Sequence, residues 1–185
     1  LRNSHDKTFP AGITAGASVF VCDNLSFSGE VKLARKHTTH ITAADSDLAA
    51  LAAAYDRAGS APPLRLASLL HLQHNLSVDL YVQKTLAHAR LIVLRLLGGA
   101  GYWTYGLDQI ESLARERNIP LAVLPGDAQA DPDLTARSTV PPQHCERLRQ
   151  YLVMGGADHA HAFLACRGHL LGHPRQPDPA RELPK

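Results

Sequence analysis

The residues with the strongest claim to chemistry lie at 94–106, LRLLGGAGYWTYG. An apolar run meets three glycines, Gly98, Gly99 and Gly101, and then three aromatics, Tyr102, Trp103 and Tyr105. A strand that enters a glycine turn and then a helix lets a ligand come close to the main chain. Free N–H groups at the helix start favour an anion there. This is not a dinucleotide fingerprint: Gly99-Ala100-Gly101 is followed by Tyr102, Trp103 and Thr104, so the third glycine is absent. A phosphate-cradling GxxxxGKS or GxxxxGKT loop occurs nowhere, which excludes that route to ATP. Aromatic residues make up only 5% of the chain, so three within four positions form a concentration. Exposed at the carboxyl end of a strand, the rings would stack on a flat ligand; buried, they would pack the helix onto the sheet. We take Gly98, Gly99, Gly101, Tyr102, Trp103 and Tyr105 as the candidate substrate-binding residues.

A second cluster lies in DHAHAFLACRGHLLGH, residues 158–173. Cys166, His169 and His173 share one face of a continuous helix, and thiolate with imidazole is zinc chemistry. A structural zinc takes four donors, however, and Gly172 interrupts the helix before His173, so we read the segment as a surface helix that happens to be histidine-rich. His5, Asp6, Asp23 and Glu30 could do acid–base work only if they converged, and their spacing gives no reason for that. Ser138, His144 and Cys145 do not make a nucleophile arrangement. Lys32, Arg35 and Lys36 read as a solvated strand end. We assign no catalytic, cofactor-binding or metal-ligating residue.

The elements that must position these groups follow from composition and period. The chain has 185 residues, 45% apolar and 19% charged, enough for one domain with a substantial core. A formal net charge of +2 is too small to argue for nucleic acid or a membrane surface. The longest apolar run, LIVLRLL at 91–97, has strand length and contains Arg95, so no spanning segment is expected. Three cysteines without CxxC spacing, Cys22, Cys145 and Cys166, read as reduced thiols and a cytoplasmic setting. The opening LRNSHDKTF has no apolar leader core and no Met, which reads as a missing true start.

ASVFVC at 17–22 and GEVKLAR at 29–35 read as a β-hairpin. From Ala44 the period becomes helical, with Asp45 or Ser46 as cap and Leu48, Leu51, Ala52 and Tyr55 inward. LRLASLL at 64–70 reads as a buried strand or strand-to-helix turn, Ser77 as the cap of a helix running to Ala89, and 91–97 as a buried strand. A helix follows from about Gly106 to Asn118, then a strand PLAVL from Pro120. Two helices close the pattern, about 143–153 and 158–171, before a Pro-rich tail. Alternating helix and strand predict an α/β fold: a parallel sheet of three or four strands with helices on both faces, a helical C-terminal segment and the appended N-terminal hairpin.

Two resemblances divide the chain. AADSDLAALAAAYD, LRLASLLHLQHNLSVDLYVQKTLAHARLIVLRLLGGAGYWTYG, LAVLPGDAQADPDL, STVPP and GGADHAHAFL resemble the N-terminal region of CobN, the large subunit of aerobic cobaltochelatase, in the wider magnesium chelatase family. RNSHDKTFPAG, VFVCDNLSFSGE and KHT resemble a family of uncharacterised phage- and plasmid-associated proteins. The expected organisation is an appended segment at 1–40, a CobN-like domain at 41–172 and a tail at 173–185. CobN relatives carry an apolar strand before AADSDL where this chain reads KHTTHIT, so that strand is expected to be degraded or replaced. The first resemblance implies a cobaltochelatase fragment. Its parent complex inserts cobalt, a substrate, into hydrogenobyrinic acid a,c-diamide, and ATP and Mg are held on separate ATPase subunits. The resemblance gives this chain no cofactor of its own and no membrane or nucleic-acid partner, and implies that alone it handles the tetrapyrrole or assembles without catalysing insertion. The second resemblance implies a different class, a mobile-element protein that acts on DNA, for which salt-sensitive DNA binding would speak.

Overall fold

The computed structural model describes residues 20–21, 37–59, 61–127 and 129–173, with only the strand pairing of the first two. A parallel sheet has β1 (Phe20–Val21), β2 (His37–Thr42), β3 (Leu64–Ser68), β4 (Ala89–Leu96) and β5 (Leu121–Pro125) in the order β1-β3-β2-β4-β5. Four of these strands have five residues or more; β1 is a two-residue edge paired to Arg65 and Leu66. The helices are α1 (Asp45–Arg57), α2 (Asn75–Lys84), α3 (Thr104–Arg117), the one-turn α4 (Pro132–Thr135), α5 (Pro142–Met154) and α6 (Gly156–Leu170). The α/β fold with helices on both faces stands as predicted. Of the expected hairpin, only Phe20–Val21 lies within the described residues, and it pairs in parallel with β3.

The alternation along each strand sorts the core into two layers. Ile92, Leu94 and Leu96 of β4 and Leu121 and Val123 of β5 meet Val78 and Tyr81 of α2 and Leu107, Ile110, Leu113 and Ala114 of α3. Leu91, Val93, Ala122 and Leu124 point the other way, to Leu48, Leu51 and Tyr55 of α1, Leu148 and Tyr151 of α5 and Phe163 of α6. β4 is buried at every position but Arg90, as a strand covered on both faces must be.

Helix starts depart from the predicted caps. α1 begins after Ala44 with no side-chain cap; Thr42 Oγ1 instead accepts from Ala44 N at 3.1 Å. α2 begins at Asn75, so Ser77 lies inside it. The helix expected to reach Ala89 ends at Lys84, and Leu86–His88 forms a 3-10 turn feeding β4. Thr85 and the following short turn bring the apolar Leu86 and Ala89 into the core without continuing the α-helix.

The largest departure is β2. HTTHIT supplies the middle strand, paired to β3 on one side and β4 on the other, and His37 to Thr42 are all buried. The strand is present, though every side chain in it but Ile41 is polar. Threonine's branched Cβ suits a strand, and a middle strand satisfies its main chain on both edges. Part of the side-chain cost is offset from α6. Arg167 donates to Thr38 Oγ1 and, at 3.0 Å, to Pro62 O, while Thr38 Oγ1 also reaches Pro63 O at 3.3 Å. Burial lowers the Arg167 pKa to about 10, so it remains charged at neutral pH. The expected boundary between residues 40 and 41 falls inside this strand.

Candidate functional site

The strand order reverses at β2. The chain steps to β3 on one side and then crosses back to β4 on the other, so the crevice beyond the carboxyl ends of β2 and β4 is the switch point, the usual ligand position in such sheets. Three groups form its floor. Arg95, opposite Thr42 in the ladder, gives Nη1 to Asp47 Oδ2 at 2.5 Å and Nη2 to Gly126 O at 2.5 Å. Thr42 Oγ1 lies 3.5 Å from the same Asp47 oxygen. Both charged side chains are only 9% exposed. The pair therefore ties β2, β4, the first turn of α1 and the end of β5 together. Nothing local in the sequence pairs residues 48 positions apart; the signal available was an arginine inside an apolar strand.

The glycine–aromatic corner leaves β4 at this crevice. Gly98 has φ +93° and Gly99 φ +72°, a backbone that residues with a Cβ rarely adopt, so the chain can reverse here into the 3-10 turn Ala100–Tyr102. Gly101 has open space where a Cβ would be, and Asp131 Oδ2 comes within 3.5 Å of where one would sit on Gly99. Asp131 caps α4 by accepting from Leu134 N at 2.9 Å.

The three aromatics have separate environments. Trp103 is 7% exposed, lies in the core beside α2 and α3, and donates Nε1–H to Leu72 O at 2.8 Å. Tyr105, at the edge, donates its hydroxyl to Asp79 Oδ1 at 2.7 Å, and that bond raises its pKa. Tyr102 is 52% exposed. Trp103 thus anchors the corner from beneath while Tyr102 presents a ring to solvent. The expected stacking face is available at Tyr102 and partly at Tyr105, whereas the indole is packing mass.

Gly106 makes room for that anchor: a Cβ there would lie 2.2 Å from the Trp103 ring. Gly106→Ala is expected to destabilise by about 2 kcal/mol through overpacking, despite alanine's better helix propensity. Urea unfolding checks this; a gain in stability would show that the indole can move aside.

The remaining sequence candidates do not assemble. Cys166 is buried among apolar side chains, which pushes its thiol up to about 11, and burial likewise raises Cys145. Both are free, and such thiols are poor nucleophiles and poor metal ligands. His169 sits with His144 at a ring separation of 6.4 Å. Among the described residues no group of three or more His, Cys, Asp or Glu could hold a metal ion. His5, Asp6, Cys22, Asp23, Glu30, Lys32, Arg35 and Lys36 lie outside the described residues. No helix among those described is long and apolar enough to cross a membrane.

No family model matches the chain. It is 43% identical over 145 residues to the aerobic cobaltochelatase subunit CobN of a Sinorhizobium species, covering 78% of this chain and 11% of that protein. It is 48% identical over 123 residues to CobN of Pseudomonas aeruginosa, covering 66% of this chain and 10% of that one. Among solved structures it is similar to the catalytic subunit of cobaltochelatase from Mycobacterium tuberculosis, with TM-score 0.66 and 25% identity over 82% of this chain and 12% of that one. The chain spans about a tenth of the length of the curated relatives it matches.

Proposed function

We infer the function from the premise that this chain belongs to the CobN family as a fragment of a cobaltochelatase large subunit. Its part in that enzyme is to handle the tetrapyrrole, hydrogenobyrinic acid a,c-diamide, at the carboxyl end of the sheet. The observation that carries this reading is the glycine corner at the switch point, which exposes Tyr102 above the buried, hydrogen-bonded Trp103. A flat macrocycle would lie on the Tyr102 ring and approach the main chain at Gly98, Gly99 and Gly101, with Tyr105 at its rim. Offset stacking on one exposed ring is worth about 1 kcal/mol, so the fragment's own affinity is modest.

Cobalt is a substrate in this reading, and ATP with its Mg is held by ATPase partner subunits in the cytoplasm. The chain spans about a tenth of its curated relatives, too little of the parent cleft to fix both macrocycle and metal, so in this reading the fragment is non-catalytic alone. Cobalt insertion by this chain with the ATPase subunits should be absent, and turnover would overturn the non-catalytic role.

The binding reading has a direct test. Tyr102→Ala removes an exposed ring, so stability should stay within about 0.5 kcal/mol of the parent. Binding of the tetrapyrrole, followed by its absorbance, should weaken about fivefold, the equivalent of one lost stacking contact. Unchanged binding would remove the corner from the site.

A further inference from the structure

A cleft of about 480 Å³ lies at the amino end of the sheet, on the opposite side of the molecule from the glycine corner. It is framed by the start of β4, the turn from α3 into β5, and the end of α6. Its charged lining is of one sign, Arg90 within β4 and Arg117 at the end of α3, with the His88 imidazole beside them and no carboxylate among the described lining residues. Four other arginines, Arg95, Arg115, Arg137 and Arg149, each hold a carboxylate. Arg117 and His88 have no ion-pair partner among the described residues. Arg90 spends one nitrogen on Leu171 O at 3.3 Å, which fixes its stem across the cleft wall.

Leu171 O at the end of α6 holds one Arg90 nitrogen, while other carbonyls near the ends of α3 and α6 are taken by main-chain N–H groups. Asn118, left-handed at φ 52°, and Ile119 turn their N–H groups back onto Arg115 O and Ala114 O. Leu171, Gly172 and His173 do the same to Gly168 O and His169 O. Ala114 O, Arg115 O, Gly168 O and His169 O are thus satisfied by their own main chain, and Arg117 and the remainder of the Arg90 guanidinium line a cleft of small-ligand size.

We propose that this cleft binds a small organic anion with two or more carboxylate or phosphate groups, one held by Arg90 and another by Arg117, with His88 at the side. Guanidinium forks match both oxyanions, and two forks from separate elements call for two anionic groups on one ligand. The site is independent of the glycine corner.

The test titrates the full chain with citrate and, separately, with pyrophosphate at fixed ionic strength, following amide shifts by NMR. Residues 87–90, 117–120 and 170–171 should shift together with one affinity. Arg90→Gln and Arg117→Gln should each weaken binding about tenfold, as loss of a charge-assisted pair does. Arg115→Gln, the same charge change on the same helix but outside the lining, should leave affinity unchanged. A response to citrate alone assigns carboxylates, to pyrophosphate alone phosphates, and to both a general oxyanion site; each supports the proposal. No shift at these residues with either probe overturns it. So does equal weakening by Arg115→Gln, which would mean diffuse surface charge.

Discussion

Asp47→Ala is expected to cost about 3–5 kcal/mol in unfolding free energy, a large part of what holds a domain of this size together. The reason lies with its partner. Arg95 is 7% exposed, and Asp47 is its only carboxylate partner among the described residues. Without Asp47 the guanidinium keeps one bond, to Gly126 O, while its Nε already has no partner. An uncompensated buried cation is the costly state; the intact pair is worth much less, because both ions were taken out of water. The double variant Asp47→Leu/Arg95→Met should therefore be far more stable than Asp47→Ala, and closer to the parent. Urea denaturation of the three proteins tests this. If Asp47→Ala lies within about 1 kcal/mol of the parent, water reaches Arg95 and the crevice floor is wet rather than closed.

The same pair shows what periodicity could and could not reveal. Helical spacing located α1, α3, α5 and α6 within a few residues, because each carries an apolar stripe that must meet the sheet: Leu48, Leu51 and Tyr55, or Leu107, Ile110 and Leu113. LIVLRLL announced β4 by being apolar on both faces. The glycine corner was legible because only glycine suits the backbone at 98 and 99. The division of labour among its aromatics was not, since Trp103's partner, Leu72 O, lies 31 residues away. Local pattern also did not identify the Asp47–Arg95 floor or the middle strand β2. The hydrophobic signal fails at KHTTHIT, where burial is imposed by position between β3 and β4. The threonines at 38, 39 and 42 were the available hint, through their branched Cβ atoms.

In β2, His37 pairs with Ala89 of β4, the register then shifts, and Thr38 to Thr42 pair with both β3 and β4. The fit is good in backbone and poor in side chains: among the described residues, Thr39 Oγ1 and both ring nitrogens of His40 are buried without a hydrogen-bond partner. Each such group costs about 1–3 kcal/mol that an apolar residue would not. The flanking strands and helices contribute a large apolar core around them.

The largest acid sensitivity should come from His40. Its ring packs edge-on against Phe163 at 5.4 Å, in the α6-facing layer. Burial, with the Arg95 and Arg167 guanidiniums adding in the same direction, holds its pKa down to about 3. The native state thus keeps the imidazole neutral, while the unfolded chain protonates near 6.5, so acid draws the protein toward unfolding. The full contribution is present above about pH 6.5 and is lost progressively as pH falls toward 3. From this group alone the loss is about 2 kcal/mol at pH 5 and about 4 kcal/mol near pH 3. His40→Leu keeps a similar volume between Leu66 and Val93 and removes both unsatisfied nitrogens. It is expected to gain about 1–2 kcal/mol at pH 7, after losing the edge contact with Phe163, and to gain more as the pH drops. Unfolding of parent and variant at pH 7, 6 and 5 should give stability curves that diverge toward acid. Parallel curves would mean that His40 is protonated in the native state or reached by water, and the polar strand would then carry no acid penalty.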